Sequence, residues 1–156
     1  MNEKSVENTV RDIIRKMKAS STMNLKLAQA LMARVEAQAE AMGVKAVVAV
    51  SDASGRPVAV HCMDGAYIGS YDVALNKTYT SVAFQMSTAK LAELAAPGGS
   101  LYGIQNTNEG KIVIFGGGEP LYVDDVLIGA IGVSGGTAEQ DTKLGAYGKD
   151  VLKELL

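Results

Sequence analysis

The clearest chemistry in this sequence lies in one short segment that holds a histidine and a methionine. His61 is the sole histidine of the chain, and Met63 follows it by two residues. In an extended strand, residues two apart project from the same face, so the imidazole and the thioether would lie side by side. Both groups serve as axial ligands of haem irons. His61 is therefore a candidate axial ligand to a haem iron or a corrin cobalt, with Met63 as a neighbouring or alternate ligand. The competing interpretation is an ordinary hydrogen-bonded strand histidine.

Two charged residues that follow this segment are candidates for anchoring a ligand. Asp64 comes directly after Met63, and Lys77 lies in a helical segment among apolar residues. Such a lysine is either a buried cation that faces a ligand carboxylate or a solvated helix residue. Asp64 and Lys77 are also candidates for acid/base or anchoring groups of a small-molecule enzyme, because a dry pocket moves the pKa of an amine toward neutrality.

Two glycine-rich turns occur late in the chain, at residues 116–118 and 129–136. We expect Gly117 and Gly135 to contact a ligand, because a residue without Cβ lets a flat molecule approach the backbone. The second turn leads into a helix N-terminus, where an anionic group can bind. It lacks the Gly-Lys-Ser/Thr sequence of a phosphate loop. Close packing of the backbone explains these glycines equally well.

Composition excludes several classes of protein. The chain has 15 basic and 17 acidic residues, which argues against an electrostatic nucleic-acid binder. One cysteine fits a reducing, cytoplasmic setting, and its alternation with Val58 and Val60 predicts Cys62 as a small core residue. No apolar run approaches the roughly 18–20 residues of a membrane span, and the N-terminus lacks the apolar core of a signal peptide. We expect neither nucleic-acid nor membrane partners.

Hydrophobic patterning and turn residues predict the elements that hold these side chains. Asn24 would cap a helix over residues 25–42 that ends at Gly43. A second helical segment covers residues 70–94 with a break near Ser87, and a capping box at residues 137–140 opens the last helix. Predicted strands cover residues 44–51, 57–63, 111–115, 121–123 and 126–133. This order predicts an α+β fold, in which a mainly antiparallel five-stranded sheet is flanked by helices.

The first part of the chain differs from the rest, since all 17 glycines lie after residue 42. Residues 1–18 predict an amphipathic helix with Asn2 or Ser5 as its N-cap. Its apolar stripe consists of Val6, Val10, Ile13, Ile14 and Met17. Residues 19–23 are typical of a polar linker, which leaves residues 24–156 as one domain. A helix this short is marginal in water. It is therefore either the first helix of the domain or an element that docks on a partner.

The domain resembles the family of GlcG, the haem-binding protein HbpS and the C-terminal domain of PduO proteins. The stretches that carry the resemblance are residues 52–55 (DASG), residues 63–66 (MDGA), Ser70 with Lys77, residues 117–120 (GGEP) and residues 129–141 (GAIGVSGGTAEQD). The resemblance implies an antiparallel sheet with flanking helices, a homo-oligomer and, as in some members, haem binding. The adenosyltransferase activity of PduO belongs to its other domain and is not implied.

Residues 1–18 resemble the encapsulation peptides that lead enzymes into bacterial microcompartments. The two resemblances together imply a cargo protein of the compartment lumen, with a shell protein or other cargo as the partner of the helix. The protein would bind haem, or else a corrinoid, and support cofactor handling or redox chemistry in a diol- or aminoalcohol-type pathway. Lys77 would neutralise a haem propionate. The alternatives are the enzyme with Asp64 and Lys77, and a non-catalytic oligomeric scaffold whose glycines serve tight packing.

Overall fold

The computed structural model describes the backbone of residues 3–19 and 22–156, and the side chains of residues 3–14 and 22–156. Five α-helices and four strands lie within these residues. In chain order they are α1 (Glu3–Ala19), α2 (Leu25–Ala41), β1 (Val47–Asp52), β2 (Pro57–Cys62), α3 (Ser70–Phe84), α4 (Thr88–Ala95), β3 (Gly118–Val123), β4 (Val126–Ser134) and α5 (Ala138–Leu155). Two short 3₁₀ turns, Ile104–Asn106 and Asn108–Gly110, lie in the long loop before β3.

The four strands form one sheet in the order β2-β1-β4-β3, and every neighbouring pair is antiparallel. The predicted α+β fold is therefore confirmed, and β2 is an edge strand. Alternation along β1 divides the core between the two faces of the sheet. Val48 and Val50 pack with α2 and α5, whereas Val47 and Ala49 pack with Ala74 of α3. The two faces consequently carry different helices and different side chains.

The prediction of a fifth strand over residues 111–115 is wrong. Ile112 and Val113 are buried as their apolar character requires, but the segment pairs with no strand in the part of the chain that the structure describes. The amide of Val113 instead donates to Thr80 Oγ1 of α3 at 3.0 Å. A helix side chain thus satisfies the backbone polar group that a strand partner would otherwise have satisfied.

The predicted caps of the helices after residue 23, and the break between two of them, are confirmed. Asn24 accepts from the amide of Leu27 as the N-cap of α2. At the other end of α2, Gly43 has a positive φ of 69°, and the amide of Val44 donates to the carbonyl of Ala39 at 2.9 Å. This is the Schellman arrangement, which favours glycine because its backbone is left-handed. The predicted break separates α3 from α4, and the capping box of α5 is formed.

α1 is an amphipathic helix, and the residues of its apolar stripe whose side chains the structure describes are exposed to solvent. Val6, Val10, Ile13 and Ile14 are between 44% and 51% exposed. The helix begins at Glu3, so Ser5 lies inside its first turn and is not its N-cap. The other predicted cap, Asn2, the side chain of Met17 and residues 20–21 of the predicted linker lie outside the described residues. Among residues 3–19 and 22–156, no helix combines the length and the apolar content needed to cross a membrane.

The hydrogen bond from Val113 to Thr80 gives a direct stability test. Thr80→Val keeps the shape of the side chain but leaves the buried amide of Val113 without an acceptor. We therefore expect the free energy of unfolding to fall by about 1–3 kcal/mol. Thr78→Val is the matched control, because each hydroxyl also donates to a carbonyl of α3 at 2.7 Å. Urea unfolding followed by circular dichroism measures both variants. Equal losses of stability would show that Val113 does not depend on Thr80.

Candidate functional site

His61 lies on the edge strand β2 and faces α2. It is paired with Val48 across the sheet, on the face that α2 and α5 cover. Its Nδ1 lies 2.6 Å from Glu36 Oε1. Because an ionised carboxylate only accepts hydrogen bonds, Nδ1 carries the proton in this pair. The neutral ring then has its lone pair on Nε2, which has no hydrogen-bond partner among the described residues. Nε2 is therefore the nitrogen that can bind a metal.

An open groove surrounds this imidazole at the edge of the sheet. Its volume is about 370 Å³, within the range of roughly 300–1,000 Å³ that is usual for small-molecule sites. The lining residues here are Glu36, Val60, His61, Cys62 and Met63. A neighbouring pocket shares three of these residues and extends the groove over Glu40, Lys45 and Asp64. Two of the predicted site residues, Met63 and Asp64, thus lie in the groove with His61.

Met63 is a neighbour of His61 whose sulfur already has a hydrogen-bond partner. The side chain is partly buried against the core of the α2 face. Its Sδ accepts from the amide of Ala46 at 3.4 Å. A metal at His61 would compete with this hydrogen bond for the sulfur lone pairs. The arrangement favours Met63 as an apolar wall of the groove over Met63 as a second ligand.

Lys77 lies on the opposite face of the sheet from His61. It projects from α3, and a Cβ on Gly132 of the α3-covered face would lie 3.1 Å from Lys77 Cβ. The side chain is 0% exposed, so the interpretation of a solvated helix lysine is wrong. A haem propionate in the His61 groove cannot reach Lys77, because the sheet stands between them. For the same reason Asp64 and Lys77 do not form the acid/base pair of the enzyme alternative.

The buried amine of Lys77 is satisfied within the chain. Its Nζ donates to the carbonyl of Val133 at 2.6 Å and to Asp141 Oδ2 at 3.1 Å. The ring of Phe115 lies 4.9 Å from the same nitrogen. Burial lowers the pKa of the Lys77 amine below its ordinary value, and the negative charge of Asp141 opposes that shift. Lys77 is therefore a cation that the fold needs, and its partner is Asp141 instead of a ligand.

Gly117 and Gly135 pack against the chain itself. A Cβ at Gly117 would lie 2.5 Å from the carbonyl oxygen of Val133 and 2.7 Å from Lys77 Nζ. A Cβ at Gly135 would lie 2.3 Å from the carbonyl oxygen of Lys45. The space that these glycines leave is already filled by protein atoms, so their positions do not support contact with a macrocycle. Close packing, the competing interpretation, accounts for both residues.

Two residues of the groove could not be singled out from the sequence. Glu36 contacts His61 from 25 positions earlier in the chain, and its place on an amphipathic helix indicates only a polar residue. Lys45 precedes a buried strand, where a lysine gives no signal of a ligand. The prediction of Cys62 as a small core residue is wrong, because this cysteine is exposed. It is the last residue of the edge strand β2, where fewer neighbours surround a side chain than in the middle of the sheet.

These features define a class: an α+β domain with a helix-covered antiparallel sheet and a histidine-bearing groove at one sheet edge. Among residues 3–14 and 22–156, no three or more His, Cys, Asp or Glu side chains form a cluster that could hold a metal ion. Residues 23–149 match the family described as haem degrading protein HbpS-like. The chain belongs to this family.

Similar proteins extend this assignment. An uncharacterised 15.0 kDa protein from the dhaT-dhaS intergenic region of Citrobacter freundii is 42% identical over 86% of this chain and 95% of its own length. The corrinoid adenosyltransferase PduO of Salmonella typhimurium is 40% identical over 74% of this chain, but the match spans 34% of PduO. The crystal structure of a PduOC–haem complex is 32% identical, covers 83% of this chain and 94% of its own, and superimposes with a TM-score of 0.80.

The pairing of Lys77 with Asp141 predicts that removing the lysine alone lowers stability strongly and that a second substitution, at Asp141, restores part of it. Lys77→Met leaves the carboxylate buried without its cation, which typically costs about 3–5 kcal/mol. Adding Asp141→Asn removes that charge while an amide oxygen can still accept from Gly136, as Asp141 Oδ1 does at 2.9 Å. We therefore expect the double variant to unfold at a higher urea concentration than Lys77→Met. A double variant that is less stable than the single one would contradict this account.

Proposed function

We propose that this chain binds a tetrapyrrole, haem in the first place, in the groove between α2 and β2. The observation that carries the proposal is the hydrogen bond from His61 Nδ1 to Glu36. It leaves the other ring nitrogen, Nε2, as the one that can bind a metal. Metal-binding histidines commonly have their second ring nitrogen held by a carboxylate in this way. The PduOC–haem complex and the family description support haem over other flat ligands.

The residues of the groove fit a haem in three respects. His61 offers a nitrogen ligand on a ring of fixed orientation, while Met63 on the same face of the sheet offers apolar contact. Lys45 is a cation of the same groove, so we propose it, in place of Lys77, as the partner of a haem propionate. When bound, haem would supply an iron centre for redox or ligand-binding chemistry. A corrinoid is the alternative, supported by the name of the PduO relatives.

Titration of the intact chain with haemin tests the ligand assignment. We expect a Soret shift for the wild type, and at least a tenfold weaker affinity for His61→Ala, equivalent to about 1.4 kcal/mol. Met63→Leu is the companion variant and should keep the wild-type spectrum, because its sulfur already accepts from Ala46. A parallel titration with hydroxocobalamin distinguishes the corrinoid. If His61→Ala binds haemin with unchanged spectrum and affinity, His61 is not the ligand.

We further propose that α1 carries the protein into a bacterial microcompartment by docking on a shell protein. The helix is 17 residues long, and the four residues of its apolar stripe whose side chains the structure describes, Val6, Val10, Ile13 and Ile14, are exposed. The family match begins at residue 23, so α1 lies outside the shared domain. An exposed stripe of this kind gains stability by entering a groove on another protein. Within the compartment, the bound tetrapyrrole would serve cofactor handling or redox chemistry in a diol- or aminoalcohol-type pathway.

The docking proposal is tested in cells that assemble shells, with residues 1–20 fused to a fluorescent reporter. We expect fluorescence to collect at the shells and to become diffuse with Ile13→Asp, which places a charge in the stripe. Asn8→Asp makes the same change in charge on the polar face of the helix and should leave targeting intact. Diffuse fluorescence of the unmodified fusion would exclude α1 as the targeting element.

We also propose that the chain forms a homo-oligomer. The edge of β2 has no strand partner in the described residues. Beyond this strand, Tyr67 is 75% and Ile68 is 95% exposed. Large apolar side chains in solvent and an unpaired sheet edge are each typical of surfaces that bind another protein.

A further inference from the structure

We infer that Glu36 is a positioning residue for the axial histidine: its carboxylate fixes the orientation of the His61 ring and makes the imidazole a stronger electron donor to iron. This inference rests on the proposed haem binding and assigns to Glu36, which lines the same groove, a role that it exerts through His61. Its basis is the separation of 2.6 Å between Glu36 Oε1 and His61 Nδ1, which is a short, charge-assisted hydrogen bond.

The contact determines which nitrogen of the imidazole meets the ligand. The carboxylate requires a proton on Nδ1, so in the neutral ring the lone pair stays on Nε2. A carboxylate partner also raises the basicity of a ligating imidazole, which stabilises the more highly charged oxidation state of a metal. Glu36 therefore acts on the iron through the histidine.

Fold stability does not account for this pair. The side chains of His61 and Glu36 are 42% and 28% exposed, and ion pairs in such positions typically contribute only about 0–1 kcal/mol. The backbone that carries Glu36 is nevertheless held firmly, because the adjacent Val35 of α2 is fully buried. A rigid helix thus holds a carboxylate against a histidine on a half-exposed edge strand, which suits the positioning of a ligand better than the stabilisation of a core.

α2 supplies a matched control for the charge of Glu36. Glu40 lies one helical turn further along and lines the continuation of the same groove. Within the part of the chain that the structure describes, it forms no hydrogen bond with His61. Removing either carboxylate makes the same change in the net charge beside a bound ligand. Only the removal of Glu36 releases the imidazole, so a difference between the two variants isolates the hydrogen bond from the general electrostatics of the groove.

The experiment compares haemin affinity and the ferric/ferrous midpoint potential in the wild type, Glu36→Ala, Glu36→Gln and Glu40→Ala. We expect Glu36→Ala to weaken haemin binding by about 10–100-fold, as is typical for loss of a partner that orients a metal ligand. Glu36→Gln keeps an oxygen acceptor for Nδ1 but loses the charge. It should bind more tightly than Glu36→Ala and favour ferrous haem about tenfold more than the wild type does, a rise of about 59 mV for one electron. Glu40→Ala removes the same charge from the wall of the groove but leaves the imidazole held, so it should change the affinity by less than Glu36→Ala does.

The outcomes separate this inference from the proposed function. If the wild type binds haemin through His61, but both Glu36 variants match Glu40→Ala in affinity and potential, the positioning role is wrong and haem binding stands. If the wild type does not bind haemin, or His61→Ala binds it equally well, the proposed function itself fails. Circular dichroism of each variant verifies folding. If Glu36→Ala does not fold, the midpoint potential of haem bound to Glu36→Gln still tests the positioning role.

Discussion

The buried ammonium group of Lys77 connects three elements of this domain, α3, β4 and α5. The amine of Lys77 has no access to water, and an unpaired charge in such a place costs far more free energy than a small domain can supply. It is compensated by Asp141 at the start of α5 and by the carbonyl of Val133 in β4. The side chain of Lys77 thus links α3 to the strand β4 and to the helix α5. Such a pair gives little net stability, but neither partner can be removed alone without a large penalty.

The same constraint explains a glycine that first suggested a ligand site. A Cβ at Gly117 would lie 3.0 Å from Asp141 Cβ and still closer to Lys77 Nζ, so the ion pair leaves no space for a larger residue there. The φ of 117° at Gly117 is likewise one that other residues rarely adopt. The glycine at position 117 therefore reflects the packing of a charged pair and of the Val133 carbonyl.

Sequence patterns predicted the elements well, because periodicity and capping are local properties. Asn24, Gly43 and the capping box at Thr137 each act within a few residues, and all were placed correctly. The strand over residues 111–115 failed because its apolar pattern could not show that Thr80 would supply the hydrogen-bond partner. The site was predicted only in part. His61, Met63 and Asp64 are neighbours in sequence and share the groove, whereas Glu36 and Lys45 reach it through the tertiary fold. Lys77 was assigned to the site because the sequence does not tell on which face of the sheet a helix packs.

The position of His61 on an edge strand restricts what the groove can do. A histidine in the central strands would meet a ligand enclosed between the sheet and the helices that cover that face, whereas the groove beside β2 is open. A macrocycle held there by one axial nitrogen would keep part of its surface in solvent or against another molecule, where a second protein could receive it. Such a geometry suits the storage or transfer of a tetrapyrrole better than chemistry that needs exclusion of water, because desolvation is what strengthens electrostatic effects in an enclosed active site. Within the proposed functions, the edge position thus favours cofactor handling over catalysis.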